Sequence, residues 1–523
     1  MKTQLLALII VATAGLSMPS AGQALDPTKA DSFVQRGLAW LEKNEYDKAI
    51  QDLNEAIRLD PKNAVPFALR GIAWRLKNEY DKAIADFSEA IRLDPKNAKH
   101  FRDRGRLWAE KRAFDKAIQD YTHAIRLDPK HADAFIGRGR AYGDKREFDK
   151  AIKDFDEAIH RDPKDALAIY FRGNAWRGKD DFDKAIADYG KAIQLDPKFV
   201  FAFFNRGLAW SDKKEYDKAI ADYNEAIRLD PTDPEAFCNR ANAWSKKKKF
   251  AKAQKDFEEA IRLDPKDPVT FYNRGISWHE AKDYDKAIQA YNEAIRLKPG
   301  FPEAFNTRGN TWKAKKEYDK AIRDFDEAIR LRPKFAFPYV NRGITWTIKK
   351  DYDNAIKDFD RGVELEPKNA KFLVERGLAW RAKKEFVKAL HDFDKAILID
   401  PKSAFSVIFA HFTAREVGHK AKAEQLLKEA AEKLDHKAWP YPILQFLAGE
   451  MDEPALLKLA TDNDKQTEAR CYLGLDHALN KRKREAMAHF RWVQDHGNPR
   501  FQEHRIAVAE LERLEKPQKK PKP

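Results

Sequence analysis

The feature that most constrains the fold is a pattern that returns every 34 residues between residues 30 and 403. Each of eleven copies carries a small residue, an aromatic residue three positions later, an alanine in its second half and a proline near its end. The small residue is Gly37, Gly71, Gly105, Gly139, Gly173, Gly207, Ala241, Gly275, Gly309, Gly343 and Gly377. A period kept in register over eleven copies indicates a tandem array of one supersecondary unit.

The sixth copy shows what that unit is. Phe203, Gly207 and Trp210 recur at a spacing of three or four, which places them on one face of a helix. Pro231 lacks an N–H group and restricts the residue before it, so a second helix ends there. The apolar face of that second helix is formed by Tyr216, Ala219, Ile220, Tyr223, Ala226 and Ile227. Two short helices cannot bury their apolar side alone, so each hairpin requires neighbours.

This pattern resembles the tetratricopeptide repeat family, and the resemblance extends over about Ala30 to Asp435 when a degenerate twelfth copy is included. It implies an all-α fold, a right-handed superhelical solenoid of helical hairpins with a helical C-terminal cap. In such arrays the first helices line a concave groove. The fold carries many unrelated partners, so the resemblance does not by itself identify one.

The N-terminal 24 residues have the pattern of a secretory signal peptide. Lys2 precedes an apolar run from Leu5 to Met18, and small residues at Gly22 and Ala24 favour cleavage after Ala24. The prediction is a periplasmic or secreted protein whose mature chain has no transmembrane span and, since no cysteine follows the run, no lipid anchor. An uncleaved N-terminal anchor is the alternative interpretation.

The remaining segments follow from the repeat register. We predict a short linker at 25–29, eleven regular copies at 30–403, a degenerate copy at 404–435, a helical, repeat-like cap at 436–515 and a disordered basic tail at 516–523.

The cap has a resemblance of its own. The segments Trp439–Leu457, Tyr472–Gly474 and Phe501–Arg505 are similar to the end of the NlpI-type periplasmic tetratricopeptide adaptors. Those proteins act as adaptors for envelope proteases and cell-wall hydrolases. The resemblance implies clients of that kind, although this array is longer and has no lipidation cysteine.

Charge suggests a second type of partner. The chain has 99 Lys plus Arg against 84 Asp plus Glu, a formal net charge of +15. Much of the excess lies in lysine-rich turns between helices and in the tail, where a solvated edge is the ordinary interpretation. The alternative function is binding of an anionic envelope polymer or a membrane surface. Export argues against nucleic acid.

Candidate ligand-binding residues follow from the resemblance, which implies that positions 2, 5, 6, 9 and 12 of each copy point into the groove. In copies two to five these include Arg75, Arg102, Arg106, Arg140 and Arg177. In copies five to ten they include Tyr170, Asn174, Phe201, Phe204, Asn205, Asn239, Asn242, Tyr272, Asn273, Asn306, Asn310, Phe337 and Asn341.

Asparagine amides donate and accept, so a ladder of them suits the peptide groups of an extended ligand, while arginine forks suit carboxylates. We therefore expect an extended peptide whose acidic portion or C-terminus lies in the N-terminal half of the array. The alternative is that the asparagines bond to neighbouring helices, that Phe201 and Phe204 pack between copies, and that the arginines are solvated.

The arginine before each small residue is expected to be architectural, pairing with a recurring aspartate of the second helix such as Asp222. The sequence has no HExxH motif and no Cys/His spacing typical of a metal site. It also has no Gly-x-Ser-x-Gly motif, in which a nucleophilic serine lies on a sharp turn, and no phosphate-binding glycine loop. The two cysteines, Cys238 and Cys471, lie several copies apart. We expect a non-enzymatic periplasmic scaffold with no catalytic residues, metal or cofactor.

Overall fold

The computed structural model describes residues 29–499 and 501–515. The predicted signal peptide at 1–24, most of the linker and the basic tail at 516–523 lie outside these residues. The chain divides into two compact units, one ending at Asp264 and the other beginning at Pro265. Both units are all-helical within the described residues.

The first unit contains copies one to seven, each a pair of helices. The helices are α1 (Ala30–Glu42), α2 (Tyr46–Leu59), α3 (Ala64–Leu76), α4 (Tyr80–Leu93), α5 (Ala98–Glu110), α6 (Phe114–Leu127), α7 (Ala132–Asp144), α8 (Phe148–Arg161), α9 (Ala166–Gly178), α10 (Phe182–Leu195), α11 (Val200–Asp212), α12 (Tyr216–Leu229), α13 (Pro234–Lys246) and α14 (Phe250–Leu263). Within the unit, each second helix packs on its own first helix and on the next copy's first helix.

The second unit contains copies eight to twelve, each again a pair of helices, and the helical cap that follows them. Its helices are α15 (Pro268–Glu280), α16 (Tyr284–Leu297), α17 (Pro302–Ala314), α18 (Tyr318–Leu331), α19 (Ala336–Ile348), α20 (Tyr352–Leu365), α21 (Ala370–Ala382), α22 (Phe386–Ile399), α23 (Ala404–Glu416), α24 (Lys420–Lys433), α25 (Tyr441–Leu447), α26 (Glu453–Leu459), α27 (Asn463–Leu479), α28 (Lys483–His496) and α29 (Gln502–Glu515). The fold is thus a solenoid of helical hairpins with a helical cap, as the sequence predicts.

The recurring glycine allows the two helices of a hairpin to approach closely. A Cβ atom placed on Gly207 would lie 2.7 Å from the ring of Tyr223, which is fully buried. Gly474 stands in the same relation to Phe490 in the cap hairpin α27–α28. In the degenerate twelfth copy the large and small side chains are exchanged. His411 occupies the position of the glycine, and Leu427 occupies the position of the aromatic ring. The buried His411 Nδ1 lies 3.0 Å from the Ala423 carbonyl oxygen and so ties the hairpin together differently.

The turn between the two helices has a left-handed residue in every copy. Lys214 has φ of +63°, and its N–H donates to the Ser211 carbonyl at 2.9 Å. The next N–H, of Glu215, donates to the Trp210 carbonyl, so the turn caps the first helix. Gly418 and Lys481 hold this position in the twelfth copy and the cap hairpin. Both therefore retain the repeat's turn geometry.

The arginine before the glycine forms a bidentate ion pair within its hairpin. In copy six, Arg206 Nε donates to Asp222 Oδ2 at 2.8 Å, and Nη2 donates to Oδ1 at 2.7 Å. This is the pairing predicted from the sequence. The other pairs are Arg36–Asp52, Arg70–Asp86, Arg104–Asp120, Arg138–Asp154, Arg172–Asp188, Arg240–Asp256, Arg308–Asp324, Arg342–Asp358 and Arg376–Asp392.

Lysines at the turns connect consecutive copies. Lys145 Nζ donates to Asp115 Oδ1 of the preceding copy at 2.6 Å, and the same contact recurs at eight further turns. Those pairs are Lys77–Asp47, Lys111–Asp81, Lys179–Asp149, Lys213–Asp183, Lys247–Asp217, Lys315–Asp285, Lys349–Asp319 and Lys383–Asp353. Because the aspartates are largely exposed, each pair stabilises the array only weakly. The contacts nevertheless neutralise part of the charge that the sequence assigned to a basic edge.

Among the described residues, none of the helices combines the length and the apolar character that crossing a membrane requires.

Candidate functional site

The candidate site is the surface formed by positions 2, 5, 6, 9 and 12 of the first helices, which we call the first-helix surface. Each unit carries its own part of it. In the first unit it contains a basic patch on copies two to four and a polar-aromatic region on copies five to seven. In the second unit part of it is covered by the cap.

The basic patch brings together Arg75, Arg102, Arg106 and Arg140. Burial lowers the pKa of the Arg75 guanidinium, and the positive charges of Arg106 and Arg102 lower that pKa further. Burial raises the pKa of Tyr121 to about 12, although Arg106, Arg140 and Arg102 oppose this rise. The positive charges of Arg102 and Arg106 thus act on both Arg75 and Tyr121, which makes this part of the first unit a basic patch.

The members of the patch differ in how far they are already paired. Arg102 donates to Asp103 Oδ1 at 2.9 Å and lies 3.0 Å from Nε2 of His131, the last residue of the same copy. Arg106 and Arg140 are exposed. The Arg140 guanidinium lies 4.8 Å from the centre of the Phe171 ring. Arg106 and Arg140 are therefore the members with the most donor capacity left for a carboxylate.

Arg177 does not belong to this patch. Its Nε donates to Asp212 Oδ2 of the next copy at 3.0 Å, so its charge is used to join copies five and six. The sequence grouped Arg177 with the other four because it could not show which acidic side chain lies opposite.

Exposed apolar side chains occupy position 2 of two neighbouring first helices. Phe201 of copy six is 64% exposed, and Leu167 of copy five is 46% exposed. Beside them, Phe204 packs on Tyr223 with ring centroids 6.0 Å apart and is half-buried. Phe204 is thus a packing residue, whereas Phe201 and Leu167 present apolar area to a ligand.

Asn205 and Asn239 share one orientation. The Nδ2 of each donates to the carbonyl oxygen four residues earlier, of Phe201 and Glu235 respectively, at 2.9 Å. Asn205 Nδ2 also donates to the Tyr170 hydroxyl at 3.0 Å. These bonds orient both amides, and neither Oδ1 accepts a hydrogen bond from any described residue. The two side chains therefore offer acceptors, which suit the N–H groups of a ligand.

Tyr170 and Asn174 face inward. The Asn174 Oδ1 accepts a hydrogen bond from the Tyr189 hydroxyl at 2.7 Å. The Tyr170 ring lies 4.9 Å from the Phe199 ring and 5.8 Å from the Tyr189 ring. Both residues support the surface from beneath, which agrees with the alternative of bonding between helices.

The second unit continues the polar series with different bonds. Asn341 Nδ2 donates to Asn306 Oδ1 across two copies at 2.9 Å, and the Tyr272 hydroxyl lies 3.3 Å from Thr307 Oγ1. Asn273, Asn310 and, in the first unit, Asn242 are half-buried. Phe337, again at position 2, is 47% exposed.

The final helix, α29, lies against the first-helix surface of copies nine to eleven. Arg505 of α29 donates to Glu375 of copy eleven, and Glu512 pairs with Lys350 of copy ten. Lys313, at position 12 of copy nine, has its pKa lowered to about 8 by burial and by the charge of Arg505, against the attraction of Glu375. The chain thus covers this end of the surface with its own residues.

One group of chemically capable side chains was missed by the sequence analysis. Glu453, His477 and His489 lie in three different helices of the cap, and their ligand atoms lie within 4.8 Å of one another. Their spacing in the chain matches no metal-binding motif. Only the packing of α26 on the α27–α28 hairpin brings them together.

Family models match most of the array. The model described as "Tetratricopeptide repeat" matches residues 73–132, 136–198 and 349–404 in one version and 30–63, 234–267, 268–301 and 302–335 in another, and the model described as "TPR repeat" matches 211–248. No curated protein matches the chain.

Solved structures show a likeness over long stretches. The crystal structure of yeast Tom70 is 18% identical over 81% of this chain and 99% of its own, with a TM-score of 0.42. The Cut9 and Hcn1 hetero-tetramer structure is 14% identical over 97% of this chain and 99% of its own, with a TM-score of 0.42. The MamA protein is 27% identical over 32% of this chain and 92% of its own, with a TM-score of 0.30.

Proposed function

Because the chain belongs to the tetratricopeptide repeat family, a family of protein-interaction scaffolds, we propose that it is a non-enzymatic scaffold that binds an extended peptide segment on the first-helix surface of its first unit. The observation that carries this proposal is the exposed pair Leu167 and Phe201, next to the outward acceptor of Asn205.

The geometry favours an extended backbone over a folded partner surface. Phe201 and Asn205 occupy copy six, and Asn239 occupies the corresponding place in copy seven. Acceptors that repeat from copy to copy match N–H groups that repeat along a peptide. The exposed side chains of Phe201 on copy six and Leu167 on copy five supply the apolar contacts that anchor such ligands.

The basic patch sets the expected direction of the ligand. Arg106 and Arg140 are exposed and lie on copies three and four, ahead of the apolar pair. An acidic stretch or a C-terminal carboxylate is the chemistry that arginine forks bind best. We propose that this acidic part contacts Arg106 and Arg140 while the rest of the segment continues over copies five to seven.

We also propose that the scaffold works in the periplasm, on the grounds of the signal-like N-terminal segment, and that its clients include envelope proteases or cell-wall hydrolases, as the resemblance of the cap to NlpI-type adaptors implies. The alternative, adsorption of an anionic polymer or membrane through the lysine turns, is less supported. Many turn lysines already contact aspartates of the preceding copy, as Lys145 does with Asp115.

Site-specific photo-crosslinking tests the proposal. A photoreactive residue at Phe201 is expected to form adducts with client proteins in envelope extract, and the same residue at Val387 is the matched control. Val387 is 73% exposed but lies on a second helix. Adducts specific to position 201 support a first-helix site, and equal adducts from both positions contradict it.

Peptide selection tests the ligand class. A random peptide library panned on the full chain is expected to enrich acidic peptides with apolar residues. Arg106→Glu with Arg140→Glu should abolish the acidic preference, and Asn205→Ala with Asn239→Ala should weaken capture while helicity is unchanged. Enrichment of basic peptides, or selection unaffected by either pair of substitutions, would reject the proposed site. Binding that falls steeply with salt in the absence of any apolar preference would favour the polyanion alternative.

A further inference from the structure

Two histidines of the cap direct the same ring nitrogen at one carboxylate. His477 Nε2 lies 3.0 Å from Glu453 Oε2, and His489 Nε2 lies 3.0 Å from Glu453 Oε1. The two imidazole rings are stacked, with centroids 5.3 Å apart and planes inclined by 20°. Two nitrogens and one carboxylate therefore converge on a single point between α26, α27 and α28.

The surroundings keep both imidazoles largely out of water. The side chains of His477 and His489 are 5% and 9% exposed, and that of Glu453 is 33% exposed. A neutral imidazole has the lone pair that a metal requires.

A purely structural role explains this group poorly. The Nδ1 atoms of both histidines are buried and have no hydrogen-bond partner among the described residues. Buried polar atoms without partners are few in folded proteins, and each destabilises the core. The contact of each Nε2 with Glu453 leaves both Nδ1 atoms unsatisfied, so the group destabilises the cap as it stands.

We propose that Glu453, His477 and His489 form a binding site for a divalent transition metal of the Zn²⁺ class. Two imidazole nitrogens and one carboxylate are a ligand set that Zn²⁺ accepts, and tetrahedral coordination at about 2.0–2.1 Å places ligand atoms roughly 3.3 Å apart. The 3.0 Å separations between Glu453 and each histidine are close to that value. Three protein ligands leave a fourth position for water on the partly exposed side of Glu453.

The same structure limits the affinity. With the metal on Nε2, each histidine carries its proton on Nδ1, where no described acceptor receives it. An incomplete outer shell of this kind lowers metal affinity by about 10–100-fold. Arg470, which lies near Glu453 and donates to Gln466, adds an opposing positive charge. We therefore expect exchangeable rather than permanent binding, and the sequence expectation of no metal is replaced by this proposal.

The test is calorimetric titration of the chelator-treated full chain with Zn²⁺. We expect one site that the Glu453→Gln variant weakens at least 100-fold, because the amide retains the shape and an acceptor but loses the charge. His489→Gln should have the same effect. The matched control is His391→Gln, which removes an exposed histidine on α22 and should leave the titration unchanged.

Two further readouts keep the result decisive. Co²⁺ added to the unsubstituted chain should give the visible absorption of low-coordinate Co²⁺, and Zn²⁺ should abolish it. Zn²⁺ should also raise the melting temperature of the unsubstituted chain and of His391→Gln, but not that of Glu453→Gln. Identical Zn²⁺ titrations of the unsubstituted chain and Glu453→Gln, or the absence of any Co²⁺ band, would overturn the proposal even if His489→Gln failed to fold.

Discussion

Arg505 donates from one guanidinium nitrogen to both carboxylate oxygens of Glu375, at 3.2 Å each, although 130 positions separate the two residues. Glu375 lies at position 6 of copy eleven, a place where the family resemblance puts ligand-binding residues. The chain's own helix α29 therefore occupies this position in the second unit. In the second unit, α29 holds a part of the first-helix surface that a client would otherwise reach.

Releasing α29 should be possible without unfolding the hairpins beneath it. Arg505→Ala leaves the partly buried Glu375 without its cation, a loss of about 1–2 kcal/mol. Glu512→Ala removes the more exposed pair with Lys350 and should cost less. The double variant is expected to accelerate hydrogen exchange in α29 by roughly 10-fold or more, since about 1.4 kcal/mol corresponds to a factor of ten.

A charge swap provides the control for this prediction. Lys350→Glu alone should also accelerate exchange in α29, and adding Glu512→Lys should restore protection. If exchange in α29 is unchanged in the Arg505→Ala and Glu512→Ala double variant, then apolar contacts such as those of Ala507 and Leu511 hold the helix without help from the ion pairs.

The Arg206–Asp222 pair leads to a prediction about the array itself. Burial raises the pKa of Asp222 against the opposing hydrogen bonds from Arg206, so each partner depends on the other in a poorly solvated place. Asp222→Ala should destabilise the sixth copy by about 1–3 kcal/mol, because it leaves an unpaired guanidinium that is still partly hydrated. Chemical denaturation and hydrogen exchange in α11 and α12 measure this loss.

Replacing both partners should cost much less than removing one. In the variant Arg206→Met with Asp222→Leu the pair is exchanged for apolar side chains, and such exchanges of buried pairs are often neutral or stabilising. A double variant as unstable as Asp222→Ala would show that the pair contributes more than the avoidance of an unpaired charge.

The Arg206–Asp222 pair could be predicted from the sequence because the same two residue types recur in the repeats. Arg206 and Asp222 are 16 residues apart, and the same residues recur at that separation in nearly every copy, so their contact could be inferred from the repeat pattern alone. The hairpin was predictable for the same reason: Gly207 and the ring of Tyr223 are fixed by the register.

Contacts between elements that occur only once in the chain could not be predicted in this way. Arg505 and Glu375 belong to elements that occur once, so no second copy indicates that they meet. The convergence of Glu453, His477 and His489 depends on how a seven-residue helix packs on the cap hairpin, which helical periodicity does not determine. The pairing of Arg177 with Asp212 recurs at the same separation of 35 residues only as Arg381 with Glu416 among the described residues, so the repeat pattern gave it little emphasis.

A buried glutamate makes the cap sensitive to pH. Burial raises the pKa of Glu468 to about 8, although the Trp439 indole N–H donates to its Oε2 at 2.5 Å. The folded state therefore binds a proton that the unfolded chain releases near pH 4.5. The stability contributed by this proton is complete below that pH and is lost as the pH rises towards about 8, by at most about 1.4 kcal/mol per pH unit.

Glu468→Gln should remove this dependence, because the neutral amide still accepts the indole hydrogen bond. We expect the melting temperature of the cap to fall between pH 5.5 and pH 8.5 in the unsubstituted chain by about 4 °C or more, and to fall much less in the variant. Glu432→Gln, at an exposed glutamate of α24, should behave like the unsubstituted chain. A pH dependence retained in Glu468→Gln would assign it to another buried acid, such as Glu503.

The left-handed turn residue offers a stabilising substitution. Lys214 has φ of +63°, a conformation that is strained for a residue with a Cβ atom and costs glycine nothing. Its side chain is exposed, so Lys214→Gly loses no packing. The relief of strain exceeds the entropy that glycine adds to the unfolded chain, and we expect a gain of roughly 0.5 kcal/mol in the free energy of unfolding.

The variant Lys218→Gly is the opposite case. Lys218 lies inside α12, and its Nζ lies 4.4 Å from the centre of the Trp210 ring, so the substitution should destabilise the protein by about 1 kcal/mol or more. Urea denaturation of the two variants beside the unsubstituted chain measures both signs, and a loss of stability in Lys214→Gly would show that the lysine side chain contributes more to the turn than its backbone strain takes away.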